Sequence, residues 1–385
     1  MKPSADVVIV GGGCMGASVA YHLSRRGVTD VVLLERERML ATGSTGRNAG
    51  GVRHQFSNAA NISLSIESIG LIQRFSEEVG HAVDFHQDGY LFLLNTPASV
   101  ETFRGNVALQ RSCGIEVQWL EAADAARLAP GLKTDDVLAA TFCQRDGIAD
   151  PNGLTMGFAK AAQAVGVSIE RDVEVTGIRV DARGIAGVDT IRGSIATHTV
   201  VNAAGPYARR VGALAGVDVP VDPYRRHIFI AQAGAGGWHV PSSHIMVIDF
   251  ESTFYFHREG PGVLFGMGDK KEGPTFDTTV QWDFLPQVID VAVKRLPALA
   301  DASISHAWAG LYEMSPDGNP IIGRTPEVEG LFLINGFSGH GFQHSPAAGR
   351  VLADLIVGRD PGLDVAPFAI ERFGRASVGG ERYVV

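Results

Sequence analysis

The first strong pattern along the chain is the apolar run after Asp6, Val7-Val-Ile-Val10, which predicts a short buried strand and leads directly into Gly11-Gly-Gly13-Cys-Met-Gly16. Ala17 to Arg26 then reads as a helix closed by Gly27, and Val31-Val-Leu-Leu34 as a second strand ending on Glu35. The three elements make one βαβ unit. Further on, Ile62, Ile66, Ile69, Ile72 and Phe75 recur at three- and four-residue intervals and predict one amphipathic helix from Asn58 to Val79, ended by Gly80. Strand character over Val83–Leu94 gives way to helix over Pro97–Cys113, and positions 150 to 165 read as another helix. Val173–Ile178 and Thr199–Val201 read as strands, the second followed by the tight turn Asn202-Ala-Ala-Gly-Pro-Tyr207. From 216 to 309 the clearest strands are Tyr224–Gln232, Phe254–Phe256 and Val263–Phe265, with one helix over Val280–Leu296. The chain closes on a strand, Leu331–Ile334, a glycine turn, Asn335-Gly-Phe-Ser-Gly-His-Gly-Phe-Gln343, and a helix, Ser345–Val357.

The opening unit carries chemistry. Gly11 permits a sharp turn, Gly13 lets backbone approach a pyrophosphate, and Gly16 lets the helix pack close to the strand. The helix N-terminus offers N–H groups and partial positive charge to phosphate. Glu35 is placed to accept from a ribose 2′-OH, and a 2′-phosphate would be repelled there. A dinucleotide site follows. No second GxGxxG stands between a strand and a helix, so a separate nicotinamide dinucleotide site is not expected.

Composition narrows the class. The 385 residues suffice for two domains, and 45% hydrophobic with 19% charged residues suits a globular protein. A net charge of −9 argues against nucleic acid or an anionic membrane as partner. Cys14, Cys113 and Cys143 have neither metal nor redox spacing, no metal site is expected, and the expected compartment is the cytoplasm. The apolar stretch Val7–Leu23 is broken by glycines and reads as buried strand and helix rather than a leader or membrane span. The glycine-rich segment 41–54 has no helical or strand period, so ligand contact explains it better than packing, with Arg47 and Arg53 as its fixed positive charges.

Together, the first glycine motif with Glu35, Gly43-Ser-Thr-Gly-Arg-Asn-Ala-Gly-Gly-Val-Arg53, Val201-Asn-Ala-Ala-Gly205, Gly310-Leu-Tyr-Glu-Met-Ser-Pro-Asp-Gly318 and Gly336-Phe-Ser-Gly-His-Gly-Phe342 resemble the D-amino-acid oxidase superfamily of FAD enzymes. Within it the chain is most similar to sarcosine oxidase and proline dehydrogenase β-like proteins. The resemblance implies an α/β fold: a Rossmann-like FAD-binding domain (1–80, 145–215, 310–385) interleaved with an antiparallel-sheet substrate domain of α+β type (81–144, 216–309). It implies FAD contacts at Gly11, Gly13, Cys14, Met15, Gly16, Glu35 and Arg36 for the ADP half. Ser44, Thr45, Arg47, Asn48, Gly50 and Gly51 would line the path toward the ring, with Val173, Ala203, Gly205 and Gly310 beside the cofactor and Gly339, His340, Gly341, Phe342 and Gln343 at the ring edge.

Arg53 matches the family arginine that clamps a substrate carboxylate, a task suited to planar guanidinium donors. The partner lysine of monomeric sarcosine oxidases falls at Gln343, so the clamp would rest on one charge and an amide. The positions of covalent FAD attachment fall at Gly310 and near Arg47, which implies non-covalent FAD. The substrate-holding arginine of glycine oxidases falls at Tyr312, and the oxygen-activating lysine of sarcosine oxidases at Leu264. Electron transfer to a carrier other than O₂ therefore becomes plausible. His54 and His340 are candidates for acid–base work or for structural hydrogen bonding, and Tyr255 for a pocket wall or for core.

The resulting expectation is an FAD-dependent oxidoreductase acting on the C–N bond of a secondary amine or N-substituted amino acid of sarcosine, proline, dimethylglycine or iminodiacetate type. The alternatives are a β-type subunit of a multi-subunit dehydrogenase and a D-amino-acid oxidase. Partners would be the small substrate, O₂ or another redox carrier, and a partner subunit or a second copy.

Overall fold

In the computed structural model, which describes residues 1–234, 238, 240–374 and 380–381, the β-branched runs become strands at the centre of a parallel sheet. β1 (Val7–Val10) pairs in parallel with β2 (Val31–Leu34), and α1 (Cys14–Arg25) crosses between them. The sheet has six strands in the order Ile321–Arg324, Leu331–Asn335, Val200–Asn202, β1, β2, Ser168–Glu170, all parallel except the first pair. Every residue of β1 and β2 is buried, as expected where helices cover both faces of a parallel sheet. α1 packs with the helices Pro151–Ala164 and Gly341–Ile356 on one face, their apolar stripes forming a shared core with Ile9, Val19, Phe158 and Val351.

The second layer is an eight-stranded sheet in the order Ser303–Met314, Asp222–Gln232, Gly262–Met267, Phe254–Glu259, Met246–Asp249, Tyr90–Leu94, Ala139–Cys143, Gln118–Leu120. Distant stretches of chain meet here, since Tyr90–Leu94 completes a sheet whose other half follows residue 222. That join is parallel, with Leu91 opposite Val247, so the expected antiparallel sheet contains one parallel pair. The reason is topological: the two strands are joined by a long excursion through the other layer, which sets no antiparallel constraint.

The boundary placed at 310 falls inside the continuous strand Ser303–Met314, which hydrogen-bonds along the whole of Asp222–Gln232. Residues 375–379 and 382–385, assigned to the first domain, lie outside the described residues. Several elements differ from the sequence expectation. The helix Asn58–Val79 divides at Arg74 into Ala59–Gln73 and Phe75–Val79, and Ile66 faces outward, 42% exposed. The strand expected over Val83–Leu94 is two strands in different sheets, Phe85–His86 and Tyr90–Leu94, with Gly89 at φ 98° in the turn between them. Val173 precedes its strand, Val175–Asp181, and the loop 41–54 holds a 3₁₀ turn at Ser44–Arg47 and a short strand at Gly51–Val52.

Candidate functional site

The site begins at the turn after β1. Gly11 has φ 116°, and a methyl group there would lie 2.3 Å from the carbonyl oxygen of Ala203; at Gly16 it would lie 1.9 Å from that of Gly11. Glycine is required at both because backbone occupies the space of a side chain. Gly13 is the N-cap of α1, and Cys14 N–H donates to Thr45 Oγ1 at 3.1 Å. Glu35 at the end of β2 accepts from the N–H of Gly12 (2.7 Å) and of Glu37 (2.9 Å), fixing the carboxylate across the turn.

From this turn runs a cavity of about 620 Å³. Its walls are Gly11–Met15, Glu35–Glu37, Ala41–Ala49 with the exception of Gly46, Val173, Ala203–Tyr207, Gly310–Glu313 and the turn residues Gly339, Gly341 and Phe342. The segment 41–54 is fastened against the long strand: Ser44 Oγ donates to Leu311 O at 2.6 Å, and the Arg47 guanidinium donates to the carbonyls of Thr42 (3.1 Å) and Ala309 (2.8 Å). Arg47 is thus a brace as well as a wall.

A smaller chamber of about 70 Å³ adjoins the long cavity and shares Asn48, Ala49, Tyr255, Tyr312, Gly339 and Phe342 with it. Arg53, Tyr90, Phe92, Met246 and Ile248 complete much of its wall. Arg53 is buried, donates from Nη1 to Gln55 O, and stacks over the Phe56 ring at 4.0 Å. Burial pushes the phenols of Tyr90, Tyr255 and Tyr312 up, so near neutral pH they stay protonated donors.

The structure brings most of the sequence-derived residues together. Gly11, Gly13, Cys14, Met15, Glu35, Arg36, Ser44, Thr45, Arg47, Asn48, Val173, Ala203, Gly205, Gly310, Gly339, Gly341 and Phe342 line the long cavity. Gly51, Arg53, Tyr255, His340 and Gln343 line the chamber. Gly16, Gly50 and His54 line neither. Gly16 instead holds α1 against the turn, and Gly50, at φ 73°, packs against Ala149 O. Leu264 is buried in the sheet opposite Ile230 and His257.

Two candidates change role. His54 is tied to a buried carboxylate, its Nδ1 at 2.6 Å from Asp146 Oδ1, which also accepts the His54 N–H at 2.8 Å. Among the described residues this histidine, Asp146 and Cys143 bring ligand atoms within 4.8 Å of one another, a grouping hidden in the sequence; the hydrogen bonds already engage two of the three. Gln343 is the second correction: Oε1 accepts the Arg53 N–H at 3.0 Å, and Nε2 donates to Arg53 O (3.0 Å) and Ser65 Oγ (3.2 Å). With its amide engaged on the backbone, Gln343 fixes Arg53 rather than joining it as a second clamp.

His340 is engaged at both ring nitrogens. Nε2 donates to Gly318 O at 3.1 Å, so Nδ1 accepts from His344 Nδ1 (3.2 Å), and His344 Nε2 accepts from Ser65 Oγ (2.8 Å). Burial lowers His340 to about 3 and His344 well below its ordinary value. Both are neutral, which leaves no acid–base role for His340. Residues the sequence did not single out are Tyr90, Arg226 and Glu313 and, at the cavity wall, Tyr207 under the expected Arg36 at 3.8 Å and Arg210 over Phe276 at 3.7 Å. Isolated aromatics carry no motif, so only the sheet-to-sheet approach finds them.

The model of the FAD dependent oxidoreductase family, DAO, matches residues 6–355. The chain belongs to this family. It is 32% identical to a mitochondrial dimethylglycine dehydrogenase of Rattus norvegicus over 97% of this chain and 45% of that protein. It is 29% identical to a sarcosine oxidase subunit beta of Arthrobacter sp over 97% of this chain and 92% of that one. An L-proline dehydrogenase of P. horikoshii shares its fold at a TM-score of 0.89 and 35% identity, covering 97% of this chain and 99% of that one. The chain therefore spans less than half the length of the dehydrogenases of the first kind, and nearly all of the latter two. As a DAO-family oxidoreductase it takes FAD, and the long cavity with its glycine turn and uncapped helix start fits a dinucleotide.

Proposed function

We propose that the chain oxidises the C–N bond of a small secondary amine or N-substituted amino acid, with FAD held non-covalently in the long cavity. The observation that carries this reading is the buried guanidinium of Arg53 in the wall of a small chamber that opens on the cofactor cavity. The names of relatives, dimethylglycine dehydrogenase, sarcosine oxidase and proline dehydrogenase, support it. When bound, FAD supplies the acceptor for a hydride and its electron pair. The protein's part is placement: Arg53 receives the carboxylate, Tyr255, Tyr312 and Phe342 orient the α-carbon toward the cofactor, and the apolar wall of Phe92, Met246 and Ile248 limits water. Removal of hydride from a carbon bonded to the neutral nitrogen would leave an iminium, which releases its N–H proton to water as an imine where it has one, and water then hydrolyses the C=N bond after release.

Among the described residues none that faces the chamber is an evident base, so the amine would react in its neutral form. The decisive experiment adds sarcosine, proline, dimethylglycine and iminodiacetate to the yellow protein without oxygen. Loss of flavin absorbance with at least one is expected, and full retention with all of them would reject the reading.

A second reading, a β-type subunit serving a larger complex, is favoured by the match to nearly all of a sarcosine oxidase subunit beta. Turnover of the isolated chain with an artificial dye but not with O₂ would support a dehydrogenase that needs an acceptor partner. Peroxide release from D-alanine or D-proline would instead mark a D-amino-acid oxidase. Among the described residues no helix is long and apolar enough to cross a membrane; the cytoplasm is proposed as the compartment on the strength of the three unpaired thiols.

A further inference from the structure

Glu313 is a buried carboxyl that the reaction outlined above does not use. It follows Gly310, Leu311 and Tyr312 on the strand Ser303–Met314 and lines the cofactor cavity, 9% exposed. It stands where glycine turns converge. A methyl group at Gly341 would lie 3.4 Å from Oε1, and one at Gly205 would lie 3.5 Å from Oε2. The N–H groups of Gly336 and Phe337 face the carboxyl, yet Oε2 is buried without a hydrogen-bond partner among the described residues. A buried polar oxygen left without a partner is costly and usually marks a position that a ligand completes.

The ligand of this cavity is a dianionic dinucleotide rich in acceptor oxygens. A carboxylate beside it would be repelled and would have nothing to donate, whereas the protonated acid carries no charge and offers one O–H. Burial supports the acid form, since it pushes the carboxyl up to about 7 even against the two facing N–H groups. The titratable neighbours do not oppose it: Cys14 on α1 is pushed up to about 11, Tyr312 on the same strand is also raised, and His340, next to Gly341, is lowered to about 3. All three are neutral near pH 7. The charged groups elsewhere on the wall are the carboxylates Glu37, Glu174 and Glu35, the last held by the N–H groups of Gly12 and Glu37, and the arginines Arg36, Arg47, Arg210 and Arg226.

We propose that Glu313 is a cofactor-binding residue that meets FAD as a neutral carboxylic acid, its Oε2–H donating to an oxygen of the cofactor. The proposal is independent of which amine is oxidised. It makes FAD binding take up a proton wherever the cofactor-free carboxyl is ionised. Affinity is then flat with pH below about 7 and falls by roughly tenfold per pH unit above it, until the bound form itself ionises.

The test is equilibrium FAD affinity of the full chain, read from flavin fluorescence on serial dilution of the loaded protein between pH 6.5 and 8.5. Wild type is expected to bind roughly 20-fold more weakly at the upper end, and calorimetry in two buffers at pH 8 should show close to one proton taken up per FAD. Glu313→Gln keeps a donor that cannot ionise, so it should match wild type within about threefold at pH 6.5 and lose the slope. A wild-type affinity that is flat or rises with pH, no proton uptake at pH 8, or a Glu313→Gln profile with the wild-type slope would each overturn the proposal. The wild-type profile and proton count decide it even if the variant fails to fold.

Discussion

Arg53 is placed by residues far away in the chain, and that placement determines what its loss should do. Replacing it with Met keeps the bulk against Phe56 but removes a charge-assisted contact to the carboxylate, a loss of about 1.5–3 kcal/mol, or roughly 10- to 150-fold in apparent KM. Flavin content should stay at the wild-type level, and steady-state kinetics beside the visible spectrum would show both. If flavin falls while KM holds, Arg53 belongs to the cofactor site. Gln343→Leu should behave differently. It strips partners from the Arg53 N–H and C=O, both buried, and should lower unfolding stability by about 1–3 kcal/mol, read from a denaturant midpoint. An unchanged midpoint with a raised KM would return Gln343 to the clamp. The sequence suggested both residues through their matches to family positions, but could not show that the Gln343 amide is engaged on the Arg53 backbone. An amide's task depends on which donors and acceptors reach it, and here these sit 290 positions away.

Among the elements, the βαβ unit was legible because strand, glycine turn and helix are adjacent in sequence and their sterics are local, although α1 begins at Cys14, three residues before the expected Ala17. Gly16→Ala would force a methyl group into the Gly11 carbonyl, so α1 must move and bound flavin should fall by about tenfold or more. Gly27→Ala is the control: with φ 85° and nothing within 4 Å of the added carbon, it should cost about 1 kcal/mol in stability and leave flavin content alone. Equal flavin loss in both would show that general destabilisation, not the turn, controls binding. Less local features were misread. The last helix was expected from Ser345, yet it begins at Gly341. It tolerates the internal proline because Ser345 Oγ donates to Phe342 O at 2.8 Å, replacing the missing N–H. The break at Arg74 and the outward turn of Ile66 were likewise invisible to a periodicity that treats all apolar positions alike.

Across the whole molecule, interleaving two sheets buries histidines that would ordinarily titrate near neutral pH. Burial lowers His22 and His340 to about 3 and His257 to about 4. Because their folded values lie below the ordinary 6.5, their contribution to stability is complete above that pH and is lost as pH falls toward the folded values. Each contributes up to about 1.4 kcal/mol per pH unit in that window. Thermal melts should therefore fall steeply from pH 6.5 to 4.5, and a flat profile would show that the native state accommodates the charged rings.

The sequence by itself determined the central strands, the dinucleotide turn, the FAD-family membership and many of the residues that line the long cavity, because each depends on neighbours within about 30 residues or on motifs intact in the chain. Only the tertiary structure decided that His54 belongs to Asp146, that Gln343 holds Arg53 in place, and that a long strand carries Tyr312 and Glu313 into the same cavity as a turn some 300 residues earlier. Burial and hydrogen-bond partnership are properties of the space between elements, and they assign roles that residue type alone leaves open.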